Sequence, residues 1–160
     1  MDFITELKLN IKDLGSVVRV KNQNTIELTN CEFNLSVKEM SNFKFDKKLA
    51  NNEDACYRDV RNGFKRIEKY LKKDPNTRKA IFISHHCISY LHVMIRTNCL
   101  VISVHMRSSD ANKLETDMHV LNDCIKQLSK TLNKKVCTIK LIIDSAHIIL
   151  GGQHASFKKT

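Results

Sequence analysis

Residues 87–110 read CISYLHVMIRTNCLVISVHMRSSD. Two runs rich in β-branched and aromatic side chains, 87–95 and 99–106, flank the polar triplet Arg96-Thr97-Asn98, a pattern that predicts a β-hairpin. A thiol opens the hairpin and Arg-Ser-Ser-Asp closes it. Antiparallel pairing returns Cys87 to the Arg107 end, so a nucleophile and an anion clamp come to share one rim of a sheet. Composition alone also fits a plainer reading, with Cys87 a small buried hydrophobe and Arg107 and Asp110 a surface ion pair.

Working outward, residues 79–84 (KAIFIS) form a short apolar strand that leads through His85-His86 into the hairpin. Before it, Tyr57, Val60, Phe64, Ile67 and Leu71 recur at steps of three and four, which predicts an amphipathic helix with Arg and Lys outward, stopped by Asp74-Pro75. After the hairpin, Leu114, Met118, Leu121, Ile125, Leu128 and Leu132 trace a second helix, with Ser109 or Asp110 available as its N-cap. Residues 136–143 (VCTIKLII) read as a strand with Asp144-Ser145-Ala146-His147 at its end. Near the N-terminus, 16–21 (SVVRVK) and 25–36 (TIELTNCEFNLS) alternate around Asn22-Gln23-Asn24 and predict another hairpin. Residues 37–54 are polar and lack a period, as in a loop or a short irregular helix. This order predicts an α+β fold with helices on one face of a mixed sheet, and the uncovered face predicts a homodimer that pairs sheet against sheet.

A chain of 160 residues reads as one domain, 1–160, able to bury a real core but short for enclosing a large cofactor as well. Its 27 Lys and Arg against 17 Asp and Glu, a formal charge of +10, favour polyanionic partners such as nucleotides, nucleic acid or acidic surfaces. The lysines are spread along the whole chain, so a solubilising surface accounts for them equally well. Six cysteines stand far apart with no C-x-x-C, which argues against a zinc ribbon or a dithiol redox motif. His85-His86-Cys87 makes a poor metal set, because successive strand residues point to opposite faces. The start, MDFITELKLN, lacks a basic segment followed by an apolar one, and no apolar run approaches a membrane span. The expectation is a reduced, soluble, cytoplasmic protein that binds no metal and no membrane.

The segments GFKRIEKYLKKDPNTRKAIFIS, Cys87, IRTNCLVISVHMRSSD and DSAHIIL together resemble the thymidylate synthase and deoxycytidylate (dCMP) hydroxymethylase superfamily. There a helix ends in Lys, Asp-Pro and Ser/Thr-Arg, a strand opens with the catalytic Cys, its partner ends in Arg-Ser-x-Asp, and a late strand ends in Ser/Thr-x-His-hydrophobic-Tyr. The separation of Cys87 from Arg107 equals the family's spacing of nucleophile and phosphate-binding Arg. The segment 25–36, with Arg19 ahead of it, looks more like the hydroxymethylase branch.

The resemblance implies a thymidylate synthase-like mixed sheet and a thiolate at Cys87 that adds to C6 of a pyrimidine ring and activates C5. Such a thiol must be held as thiolate, which nearby arginines favour. It implies Arg107 and Ser108 on the 5′-phosphate, Arg78 and Lys79 reaching the phosphate from a partner subunit, the Asp110 backbone near the base, and His147 on the sugar 3′-hydroxyl. Asp117 falls, allowing a one-residue gap, where cytosine-specific members carry Asp and uracil-specific members Asn. A carboxylate in the first turn of a helix is also favoured by the helix dipole, so both readings of Asp117 stand. The implied substrate is a pyrimidine deoxynucleoside monophosphate, dCMP or dUMP, and the implied activity a C5 methyl- or hydroxymethyltransferase of nucleotide biosynthesis, with methylenetetrahydrofolate as donor.

Four departures bear on the chemistry. His85-His86 replaces a longer loop carrying Trp-Asn and ending in Pro; the first-half segment that supplies a general-acid Glu and a folate-contacting Trp has no counterpart; Ile149 stands where a sugar-binding Tyr would be; and the C-terminal GGQHASFKKT does not resemble the tail that closes over folate. Glu53 and Asp54 are substitute acids that no spacing recommends, and His85, His86 and His105 are imidazoles that could transfer a proton near Cys87, although scattered His residues in a sheet are more often hydrogen-bonded structural groups. The alternative to a transferase is an inactive basic homodimer on the same scaffold that binds nucleotide, nucleic acid or protein.

Overall fold

The computed structural model describes residues 2–20, 23–43 and 54–150. The central hairpin forms from β4, Ile88–Arg96, and β5, Cys99–Met106. Arg96 pairs with Cys99, so the turn is the two residues Thr97 and Asn98, at φ 47° and 65°, rather than the expected triplet. Two successive left-handed residues match the right-handed twist of the strands they join. Ile88 pairs with Met106, and the Arg107 amide donates to the Cys87 carbonyl at 2.9 Å.

The N-terminal hairpin is β1, Ser16–Val20, with β2, Gln23–Leu35; residues 21 and 22 of its turn lie outside the described residues. β3, Ile81–Ile83, pairs with β4 at the sheet edge. The last strand, β7, Lys135–Leu150, is twice as long as residues 136–143 predict, and Asp144 to His147 lie inside it. The reason is its partners: β5 and the two-residue β6, Ser109–Asp110, run parallel to it on one side, while β2 runs antiparallel along nearly its whole length on the other. The sheet order is β1-β2-β7-β5-β4-β3, with β6 added against β7.

Helix α1, Phe3–Leu14, is an element the sequence reading passes over. Its signals are present all the same: Asp2 accepts the Thr5 amide at 2.9 Å as N-cap, and Phe3, Ile4, Leu7 and Ile11 are buried along one stripe. α2 is the single turn Val37–Met40, closed by a capping box between Ser36 and Glu39, whose hydrogen bonds hold the Glu39 carboxyl below its usual range. α3, Asp54–Lys73, and α4, Leu114–Leu132, follow the predicted stripes. The N-cap of α4 is Lys113, without a side-chain cap, and not Ser109 or Asp110, which the parallel pairing with β7 holds in a strand.

One face of the sheet and the stripes of α1, α3 and α4 form a single core cluster, in which Leu91, Leu100, Ile102 and Met106 of the sheet are fully buried together with Ile67, Leu114 and Leu121 of the helices. The helices thus pack on one face of a mixed sheet, the predicted α+β arrangement. The other face presents Tyr90, His92, Met94, Val101, Ser103 and His105, all partly exposed. There His105 meets Asp144 at 2.7 Å and Lys140 meets Glu32 at 2.7 Å.

Cys99 and Cys137 form a disulfide between β5 and β7, with Cα atoms 5.7 Å apart, which corrects the expectation of a fully reduced chain. Spacing in sequence conceals the pair, because parallel strands bring together residues separated by 38 positions. Closing a loop of that length constrains the unfolded chain by about 4 kcal/mol in the chain-entropy account. Dithiothreitol is therefore expected to lower the guanidinium midpoint of the wild type substantially, and to leave a Cys99→Ala/Cys137→Ala variant unmoved. Equal midpoints with and without reductant would contradict the bond. Among the described residues no helix is long and apolar enough to cross a membrane.

Candidate functional site

The parallel strand β6 and the start of β4 leave a hollow at one end of the sheet, closed on the core side by the first turn of α4. This cavity of about 230 Å³ is lined by Cys87, Ser108, Ser109, Asp110, Lys113, Asp117, His147 and Ile149. A thiol, two hydroxyls, two carboxylates, an ammonium and an imidazole thus converge on one space. A larger hollow of about 570 Å³, at the Thr97-Asn98 turn, is lined by amides, hydroxyls, lysines and Cys99, whose sulfur is bonded to Cys137, so its described lining offers no thiol.

Cys87 is half-buried, whereas the other free cysteines, Cys31, Cys56 and Cys124, are buried. Burial pushes the thiols of Cys31 and Cys124 up, the latter to about 11, so they remain protonated and poorly nucleophilic at neutral pH. Exposure therefore sets Cys87 apart. The short segment ahead of it is held by Ser84, which donates to Asp59 at 2.5 Å and accepts the His86 amide at 3.1 Å.

Asp117 is buried in the first turn of α4, and Tyr57 of α3 donates its hydroxyl to Asp117 Oδ1 at 2.7 Å. Sequence reading treats Tyr57 as core stripe only; the signal it missed is that a buried phenol needs a polar partner. Ser109 is 3% exposed and lines the cavity, yet its Oγ has no hydrogen-bond partner among the described residues. An enclosed hydroxyl of that kind is costly unless something else satisfies it. The sequence offers Ser109 only as a helix N-cap and does not single out Lys113 at all. Asp110 turns its carboxylate onto the Asn112 amide at 3.0 Å, and its backbone pairs with His147.

Other candidates lie elsewhere. Arg107 is exposed at the rim and is not among the lining residues, although its amide is bonded to Cys87. Arg19 is exposed on β1; it pairs with Asn24 and Asn24 with Leu150, which carries it toward the His147 end of β7. Arg78 and Lys79 are exposed ahead of β3. Ile81 pairs with His92, five residues on from Cys87, which sets their backbone roughly 16 Å along the sheet from Cys87, and neither lines the cavity. His85 and His86 do not line the cavity, and His105 faces the open side of the sheet with Asp144. Glu53 and the side chain of Asp54 lie outside the described residues. Among the described residues no group of His, Cys, Asp and Glu could hold a metal ion.

No protein-family model and no curated protein sequence matches the chain. Among solved structures it is similar to a thermostable thymidylate synthase A from Bacillus subtilis, with a TM-score of 0.71 and 10% identity, covering 91% of this chain and 78% of that one. The likeness establishes a shared architecture: this chain has a thymidylate synthase-like fold.

Proposed function

We propose that this chain is a divergent relative of the thymidylate synthase and dCMP hydroxymethylase superfamily that binds a pyrimidine deoxynucleoside monophosphate beside Cys87. The observation that carries the reading is that the half-exposed free thiol shares a cavity with Asp117, Ser109 and His147. In this reading the thiolate adds to C6 of the base, Asp117 accepts from the exocyclic amine of cytosine, and His147 meets the sugar hydroxyl. The cavity is smaller than the roughly 300–1,000 Å³ of whole ligand pockets, so it takes the base and part of the sugar. The phosphate then lies outside the mouth, where Arg107 is exposed, with Ser108 on the wall and Arg19 toward the same end of the sheet.

A second copy against the open face, the homodimer expected from the sequence, is the arrangement in which Arg78 and Lys79 act on a phosphate, since they do not approach the cavity of their own chain. One-carbon transfer to C5 needs a donor seated over the base. The described lining contains no Phe, Tyr or Trp on which a pterin would stack, so the residues present do not fit a folate over the base. The chemistry left to the chain's own residues is addition at C6 and proton exchange at C5.

Calorimetric titration with dCMP tests binding apart from chemistry. Wild type and Cys87→Ser are expected to bind with affinities within a few-fold, because the thiol acts in the reaction rather than in holding the ground state. Binding lost by Cys87→Ser alone, or absent from the wild type, would overturn the reading.

A further inference from the structure

Helix α3 carries cations far in excess of what its stability asks for. Arg58, Arg61, Lys65, Arg66, Lys69 and Lys73 are all exposed, opposite the buried stripe of Val60, Phe64, Ile67 and Leu71. A helix face that is merely solvated alternates signs at i and i+4. Here Arg61–Lys65, Lys65–Lys69 and Lys69–Lys73 are like-charge neighbours at that spacing, each of which destabilises the helix. The acids do little to offset this. Asp59 is turned to Ser84 and Glu68 is paired with Lys72, so among the described residues no carboxylate pairs with Lys65, Arg66, Lys69 or Lys73.

An aromatic ring sits within this strip. Tyr70 is 46% exposed and borders a shallow hollow of about 300 Å³ with Arg66, Lys69 and Lys73. A second hollow, of about 240 Å³, lies between Arg61 and Lys65 of α3 and Gln127 of α4. We propose that the outer face of α3 is a binding surface for single-stranded nucleic acid, with phosphates on the cations and an unpaired base stacked on Tyr70. Cations that track a backbone, interleaved with an aromatic platform, are the means by which single strands are held without sequence preference. From Arg61 to Lys73 the helix runs about 18 Å, the length of about five stacked nucleotides. An anionic membrane is a poorer fit, because a surface-lying helix inserts several apolar side chains and this face has Tyr70 alone. The stretch from Arg61 to Lys73 lies beyond Tyr57, whose hydroxyl bonds Asp117 of the cavity wall, and none of it lines that cavity, so the inference does not rest on nucleotide chemistry there.

The test is fluorescence anisotropy of an end-labelled twelve-nucleotide single strand of mixed sequence, across a salt series, beside its duplex. The wild type is expected to bind the single strand more tightly than the duplex, with affinity falling steeply as salt rises. Arg66→Gln/Lys69→Gln/Lys73→Gln, all surface changes whose fold a thermal melt checks, is expected to flatten the log–log salt slope by about 2 and to weaken binding at least about tenfold. Tyr70→Ala is expected to weaken it about 5- to 150-fold, with Tyr70→Phe close to wild type. Saturating dCMP is expected to leave oligonucleotide affinity unchanged. No binding at low salt, equal binding of duplex with Tyr70→Ala silent, competition by phosphatidylserine vesicles at matched charge, or displacement by dCMP would each overturn the proposal, the last by placing the strand in the cavity.

Discussion

In deuterated buffer and with no one-carbon donor, the protein is expected to exchange the C5 proton of dCMP for deuterium, and Cys87→Ser to slow that exchange by about 10³-fold or more. The sulfur–C6 bond forms as the C5–C6 double bond gives its electron pair to the ring, a deuteron adds at C5, the original proton leaves C5, and the thiolate is expelled as the double bond returns. Nothing is oxidised or reduced, so the step needs only water and an available thiolate. The control lies in the same chain. Cys124 is buried with its thiol pushed up to about 11, so Cys124→Ser is expected to exchange like the wild type. Proton NMR of the C5 signal measures both. Exchange that survives in Cys87→Ser would remove the thiol from the chemistry.

The next largest effect is expected at Asp117, where Asp117→Asn should reverse the order of preference between dCMP and dUMP. A carboxylate accepts from the exocyclic amine of cytosine, whereas a carboxamide can donate to the carbonyl that uracil carries in its place. Tyr57 bonds Oδ1 of Asp117, and an Asn retains an oxygen able to accept the same phenol, so the change should preserve the packing at this corner of α4. A buried polar group left unpaired costs about 1–3 kcal/mol, which corresponds to about 5- to 150-fold in each direction of the swap. Competition binding of the two nucleotides to both proteins reads it. If the ratio does not move, the carboxylate is a first-turn helix acid and nothing more.

The hairpin that decides the fold was legible because β-branched runs around a polar turn leave few alternatives, and the stripes of α3 and α4 were legible because their apolar period has no competitor. Legibility failed where tertiary pairing decides. The parallel strand at Ser109–Asp110 exists only because β7 runs beside it, so two plausible N-cap residues became strand residues and Ser109 turned inward. The length of β7 follows from β2 alongside it, which residues 136–143 alone do not reveal. The Cys99–Cys137 bond depends on two parallel strands whose neighbourhood sequence spacing does not encode. At the site, Cys87, Asp117 and His147 could be named in advance from a family pattern, whereas Lys113 and Ser109 line the same cavity through local geometry that no motif carries. Arg107 marks the limit of such reasoning: register places its amide on Cys87, but its side chain is exposed at the rim.

The central claim is that the space beside Cys87 receives a pyrimidine deoxynucleotide, and thermal denaturation of the wild type during titration with dCMP, dUMP and CMP tests it most directly. A ligand that binds only the folded chain adds about 2.7 kcal/mol at a hundred times its Kd. The account predicts a saturating rise in Tm with dCMP, a smaller one with dUMP and the smallest with CMP; no rise with any of the three would contradict it.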